Sequence, residues 1–230
     1  MFFSKKPVHV TAAEALPGRP ARPFALAPDH VVLGTPIEAP VAPGHEELFV
    51  AMGCFWGSER IFWSIPGVQT TAVGYLGGFT PNPTYEETCT GRTGHTEAVR
   101  VVFDPAKVDL DVLLKAFWEN HDPTTPDQQG GDIGSQYRSA VYPTTDGQLA
   151  AVDSARARDQ QALKEAGFGE ISTEIRPAAE AGTFWYAEDY HQGYLHKNPR
   201  GYCNHGFCQV GYDATAHGQD APTRVELPRS

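Results

Sequence analysis

Proline placement decides where a folded domain can begin in this chain. Eight of its 19 prolines (Pro7, Pro17, Pro20, Pro23, Pro28, Pro36, Pro40 and Pro43) fall within the first 45 residues. Each one fixes φ and removes a backbone donor, so the stretch can hold neither a long helix nor a central strand. Residues 1–45 are therefore expected to form an extended arm on the domain surface, with one short helical turn around Ala12–Leu16. Binding a partner is the alternative use of such a composition. The folded unit is expected at 46–213, and residues 214–230 read as a polar, unperiodic tail.

Inside those bounds strands and helices alternate. Glu47–Met52 is a strand candidate by its apolar run, and Phe55–Ile65 a helix closed by Pro66-Gly67. Val68–Tyr75 and Glu97–Phe103 are rich in β-branched residues and read as strands. Leu110–Asn120 puts Leu110, Leu113, Leu114 and Phe117 on one helical face. Arg138–Tyr142 reads as a strand, Gly147–Ala166 as the longest helix, and Ser172–Ile175 alternates in strand fashion. Strands interleaved with helices, without regular βαβ repeats, predict an α+β fold. The expected form is a two-layer sandwich, a mixed central sheet with flanking helices and a long irregular C-terminal segment.

The charge balance narrows the function classes. Eighteen Lys+Arg against 28 Asp+Glu leave a net charge of -10, which argues against a nucleic-acid binder and against a polybasic membrane-surface protein. No apolar run is long enough to span a bilayer, and no signal-peptide core follows Lys5-Lys6. The cytoplasm is the expected compartment. Four cysteines, at 54, 89, 203 and 208, are too few for a disulfide scaffold in 230 residues. Burial, metal binding or redox chemistry are the jobs open to them.

Cys54, in Gly53-Cys54-Phe55-Trp56-Gly57, lies where a strand ends and a helix begins. Unpaired amides and the positive end of the helix dipole there are expected to lower a thiol pKa and raise its nucleophilic fraction. Phe55 and Trp56 are unusual at a first helical turn, and beside a nucleophile they can form an apolar pocket; the alternative is a buried cysteine with two core rings. Glu97 opens an apolar strand in Gly94-His95-Thr96-Glu97-Ala98-Val99. Desolvation there would raise its pKa and make it a candidate general acid, the alternative being a rim carboxylate in water. The loop Gly130–Ser139 matches no phosphate-binding fingerprint. Cys203 and Cys208 lie five positions apart in a glycine-containing segment, where a resolving thiol can swing towards a distant nucleophile.

Together these motifs resemble the peptide methionine sulfoxide reductases of the A class. The resemblance runs over residues 47–205 and rests on motifs in one order. Beyond the two just quoted they are Gly77–Tyr85, Phe117–Pro123, Gln136–Ser139, and Ala187–Gln192 followed by His196–Pro199. The resemblance implies reduction of the S epimer of methionine sulfoxide, free or protein-bound, in the repair of oxidised proteins. It implies that Cys54 attacks the sulfoxide sulfur, that Glu97 donates a proton to the oxygen, and that Tyr85 and Tyr137 help hold that oxygen. Phe55 and Trp56 match rings that cage the methyl group, and Asp132 a carboxylate that contacts the substrate backbone. Cys54 would be left as a sulfenic acid, which Cys203 condenses with to form a disulfide.

The match departs from three-cysteine members in one place. Only Asn204-His205-Gly206-Phe207 separates Cys203 from Cys208, where those members have a longer glycine-rich stretch. Cys208 is nevertheless expected to receive the disulfide and present it to reductant, with a bystander as the alternative. Cys89 is expected to be buried and outside the mechanism. No Gly-x-Gly-x-x-Gly follows a strand, so no flavin or nicotinamide cofactor is expected, and thioredoxin is the reductant the resemblance implies. A thiol peroxidase is the rival enzyme reading, although it leaves Phe55, Trp56 and Glu97 without a job. A zinc module built on Cys203, Cys208 and two of His191, His196, His205 and His217 lacks a second Cys-x-x-Cys pair, so no metal is expected.

Overall fold

A computed structural model describes residues 7–203. Its frame is a six-stranded sheet in the order β7-β6-β1-β3-β2-β8, antiparallel throughout except for the β6–β7 pair. In chain order the strands of that sheet are β1 (Glu46–Met52), β2 (Val68–Leu76), β3 (Thr96–Phe103), β6 (Ser139–Pro143), β7 (Glu174–Ile175) and β8 (Trp185–Tyr186). Two-residue strands β4 (Gln128–Gln129) and β5 (Asp132–Ile133) form a separate small hairpin. The helices are α1 (Phe55–Trp63), α2 (Tyr85–Cys89), α3 (Leu110–Glu119), α4 (Asp146–Glu165), α5 (Ala178–Ala181) and α6 (Tyr194–Lys197). The mixed sheet and its flanking helices are the expected α+β sandwich.

Period-two alternation assigns the faces. On β1, Leu48, Val50 and Met52 enter the main core with Ile61 and Phe62 of α1, Leu113, Leu114 and Phe117 of α3, and Val152 and Leu163 of α4. Phe49 and Ala51 point the other way, into a smaller cluster with Ala98, Ala140 and Tyr142. On β3, Val99, Val101 and Phe103 belong to the main core. The same alternation puts Glu97 on the helix-covered face, opposite Tyr75 in the β2–β3 register. Its carboxyl thus enters the core layer beside Tyr75 and Val99, next to the start of α1.

The N-terminal stretch has the turn expected near Ala12–Leu16, with Ala15 N–H donating to Thr11 C=O. From residue 7 to 45 there is otherwise one isolated bridge, Asp29 with Pro36, and neither helix nor strand. It is nonetheless fastened by hydrogen bonds from end to end. Leu16 and Arg19 N–H groups donate to Arg92 and Pro81 carbonyls. The Arg19 guanidinium pairs with Glu87 of α2 at 2.6 Å. Arg100 donates to the Ile37 and Ala39 carbonyls from β3, and His30 and Ile37 are almost fully buried.

Candidate active site

Cys54 is the N-cap of α1. Its carbonyl accepts from Ser58 Oγ, and its side chain is 5% exposed. Gly53 makes the entry turn at φ +85°, and a Cβ there would lie 2.5 Å from Gln129 Cβ. Only glycine therefore lets the β4–β5 hairpin, which carries Asp132, lie across the turn that leads into Cys54. Gln129 is fixed in return by bonds with Asp122 N–H and C=O.

The thiol does not titrate as its position alone predicts. Burial, and then the charge of Glu97, push the Cys54 pKa well above its ordinary value. The backbone N–H groups of Trp56 and Gly57 pull the other way and are outweighed. Helix-terminus stabilisation is present, but desolvation is the larger effect. This corrects the expectation of a lowered thiol pKa.

Glu97 sits 1% exposed, and Oε2 accepts the Phe55 N–H at 3.0 Å. Burial raises its carboxyl from 4.5 to about 8 against that hydrogen bond, with Asp132 adding to the rise. Of the two sequence alternatives, the rim carboxylate in water is thereby excluded. A carboxyl titrating there holds its proton at neutral pH and can give it up.

Two phenols flank the pair. Tyr85 opens α2, whose first turn is fixed by a capping box between Thr84 and Glu87. Tyr137 ends a single 3₁₀ turn, Ser135–Tyr137, just before β6. Burial, then the nearby Glu97 charge, raise both hydroxyls, so both stay protonated as donors. Phe55 is buried and stacks on the Tyr85 ring at 6.4 Å. Trp56 lies flat on Tyr194 of α6, centroids 3.9 Å apart and planes at 17°. Its indole N–H donates to His191 Nδ1 at 2.9 Å. Asp132, on the hairpin, accepts from the Tyr202 hydroxyl at 3.0 Å.

Cys54, Tyr85, Glu97, Asp132 and Tyr137 lie close enough to act on one another's charge, and Phe55 joins Trp56 and Tyr85 by ring contacts, so the seven form one cluster. Cys203 is a free thiol with Sγ 3.2 Å from Arg60 Nη2, on the last turn of the helix that Cys54 opens. Cys208 lies outside the described residues. Cys89 is exposed, not buried as expected, and bonds with the Tyr85 hydroxyl one helical turn away. Burial of its sulfur still raises that thiol to about 11.

Three further side chains shape the site, although none of them had a part in the sulfoxide chemistry expected from the sequence. Glu188 accepts from the Tyr75 hydroxyl at 3.0 Å and from the Tyr85 N–H at 2.8 Å, tying α2 to β2. His191, fully buried, is held neutral at about 3 by burial and by Lys197. Tyr194 completes the stack on Trp56. Glu188 and His191 stand in the motif Ala187–Gln192, but their partners are about a hundred or more residues away in sequence.

Comparison with known proteins decides the family. The family model described as "Peptide methionine sulfoxide reductase" matches residues 46–218. The chain belongs to this family. It is 57% identical over 205 residues to peptide methionine sulfoxide reductase MsrA 1 of Caulobacter vibrioides, covering 87% of this chain and 93% of that protein. It is 54% identical over 212 residues to the MsrA of Salinispora arenicola, covering 90% and 94%. Among solved structures, methionine sulfoxide reductase A of Corynebacterium diphtheriae superposes with a TM-score of 0.79 at 48% identity, over 86% of this chain and 94% of that one. The reduced form of Mxr1 from Saccharomyces cerevisiae aligns at 0.64 and 32% identity, covering 75% and 94%. The chain is accordingly an oxidoreductase that reduces peptide methionine sulfoxide.

Proposed function

We propose that this reductase acts on the S epimer of methionine sulfoxide by a sulfenic acid route, and the observation that carries the proposal is the burial of Glu97 beside Cys54. Cys54, as thiolate, attacks the sulfoxide sulfur. Glu97 delivers its proton to the sulfoxide oxygen as that oxygen gains negative charge. The hydroxyl then passes from the substrate sulfur to the Cys54 sulfur as the new sulfur–sulfur bond and the old sulfur–oxygen bond break, so methionine leaves and Cys54 is left as a sulfenic acid. The Cys203 thiol then displaces water to give a Cys54–Cys203 disulfide. The sum is sulfoxide plus two thiols giving sulfide, water and one disulfide.

Tyr85 and Tyr137 act as the neutral donors that hold the oxygen, which supports charge development there; single donors of this kind are typically worth about 3 kcal/mol. Phe55 and Trp56 enclose the methyl group. One buried carbon contributes on the order of 1 kcal/mol, so the cage sets orientation and epimer more than rate. Asp132 takes the substrate backbone. Cys208 receives the disulfide from Cys203, and thioredoxin reduces it by thiol–disulfide exchange. The same reading places this work in the cytoplasm.

Resolved epimers and hydrogen peroxide, offered separately as substrates, test the reading. Turnover is expected on the S epimer alone, and a preference for peroxide would convert the enzyme into a thiol peroxidase. Cys203→Ser is expected to release one methionine per enzyme and then stall with thioredoxin present. Normal cycling of that variant would remove Cys203 from the resolving role.

A further inference from the structure

The family match begins at residue 46, yet part of the N-terminal arm reaches the substrate cage. His30 is 2% exposed. Its Nδ1 accepts the Val32 and Leu33 N–H groups at 3.1 and 3.0 Å, which leaves the ring proton on Nε2. That N–H meets Thr71 Oγ1 of β2 at 2.8 Å. Thr71 Oγ1 donates in turn to Glu59 Oε1 of α1 at 3.2 Å, and Glu59 is wholly buried. The second carboxyl oxygen, Oε2, accepts the Gly193 N–H at 2.9 Å.

Gly193 is where the arm closes on the cage. It adopts φ +61°, and a Cβ there would lie 2.3 Å from Val31 Cγ1. One residue of the arm therefore packs directly on this glycine while its neighbour reaches the same glycine through Thr71 and Glu59. Ala27 N–H adds a third tie, to Asp189 Oδ1 at 2.8 Å. Gly193 separates His191 from Tyr194, the two residues that hold Trp56 by a hydrogen bond and by a stack.

We infer that His30 and Val31 are positioning residues of the substrate cage: through Glu59 and Gly193 they set His191 and Tyr194, and so the plane of Trp56. The inference rests on the proposed role of Trp56 in enclosing the substrate methyl group. The proline-rich arm is then a part of the enzyme's specificity apparatus. Its irregular backbone suits the task, because the Val32 and Leu33 amides that would be lost to a helix or strand are free to orient the His30 ring.

The test uses the full chain, a methionine sulfoxide peptide and excess thioredoxin system. His30→Ala is expected to raise KM on the order of tenfold with a much smaller change in kcat, inside the roughly 100-fold that an ångström of misplacement can cost. The Trp56 indole N–H resonance, assigned with Trp56→Phe, is expected to move in His30→Ala. Both effects are expected to be reversed in His30→Gln, whose amide can still donate to Thr71. Val31→Ala, which leaves the buried network whole, is expected to shift KM and the indole resonance in the same direction by less, and it serves if His30→Ala does not fold. An unchanged KM with the indole resonance in place overturns the inference, as does equal loss of activity in His30→Ala and His30→Gln. Trp56→Ala separates the two levels of argument. If it raises KM while the arm variants do not, the arm has no positioning role; if it leaves KM unchanged, the cage reading falls and this inference with it.

Discussion

Glu97→Gln removes one proton from the site and little else. Glutamine keeps the side-chain length and an oxygen to accept the Phe55 N–H, which Glu97 Oε2 now takes at 3.0 Å. A carboxyl titrating at about 8 is about 90% protonated at pH 7 and about 10% protonated at pH 9. Loss of a general acid costs on the order of 10² to 10⁴-fold, so the chemical step at pH 7 is expected to slow within that range. Single-turnover methionine release, followed by rapid quench between pH 6 and pH 10 without reductant, isolates that step. With the Cys54 thiol raised well above its ordinary value and Glu97 at about 8, the native rate is expected to show a break near 8, rising below it and level above it, where gain of thiolate offsets loss of the acid. The variant is expected to lack it and to rise with the Cys54 thiolate alone. Alkylation of Cys54 against pH is expected to show a lower midpoint in the variant, because the Glu97 charge no longer opposes the thiolate. A second consequence concerns stability. The folded carboxyl holds its proton from 4.5 up to about 8, where the unfolded chain has released it, so stability falls as pH rises through that window. A shift of that size corresponds to on the order of 5 kcal/mol, and Glu97→Gln is expected to recover part of it at pH 8 and none at pH 4. A break near 8 that survives in the variant, or a loss under about tenfold at pH 7, refutes the reasoning.

Two further substitutions probe the scaffold. Asp159 of α4 is fully buried with neither carboxyl oxygen hydrogen-bonded, and burial followed by the charge of Glu119 raises it from 3.8 to about 7. Stability held below pH 4 is therefore given up between pH 4 and pH 7, and Asp159→Asn is expected to gain on the order of 3 kcal/mol in urea melts at pH 8 with little change at pH 4; equal effects at both pH values would contradict this. Gly53→Ala places a Cβ 2.5 Å from Gln129 Cβ at φ +85°. It is expected to cost about 1 to 3 kcal/mol and to depress turnover by displacing the Asp132 hairpin, and an alanine variant with native kinetics and melting would refute that seat for the hairpin.

What was legible in the sequence follows the length of each periodic signal. Leu48, Val50 and Met52 alternate with Phe49 and Ala51 over a whole strand, so β1 could be read within a residue, and Leu113, Leu114 and Phe117 did the same for α3. Helix α2 is five residues long, and β4, β5 and β8 two each; elements this short carry no period and are fixed by tertiary bonds. For α2 these are the Glu188 bond to Tyr85 and the Arg19 pair with Glu87. The prolines correctly excluded helix and strand from residues 7–45, but they do not exclude burial. His30 and Ile37 sink into the domain because local turns satisfy the His30 N–H and C=O and the Ile37 N–H, and Arg100 satisfies the Ile37 C=O. Candidate site residues were legible where a residue type was unusual for its local element, as with two rings in a first helical turn or a carboxylate opening an apolar strand. Glu188 and His191 look ordinary in a loop, and only contact with β2, α1 and α2 gives them a task.

The error in the expected Cys54 titration comes from the same source, and it makes the proposed chemistry more specific. Position in sequence reveals the amides of α1 but not the weight of protein lying over them. Once Cys54 and Glu97 are both buried, each opposes the ionisation of the other, and the pair accommodates one negative charge in place of two. The competition is then between two placements of that charge. Phe55 N–H favours it on Glu97, and Trp56 and Gly57 N–H favour it on Cys54. A sulfoxide has a positive sulfur and a negative oxygen. Docked with sulfur towards Cys54 and oxygen towards Glu97, Tyr85 and Tyr137, it stabilises the thiolate with the neutral acid and opposes the reverse. In the proposed route substrate binding would then place the proton where the reaction needs it, and the Cys54 thiolate would form chiefly with the sulfoxide in place.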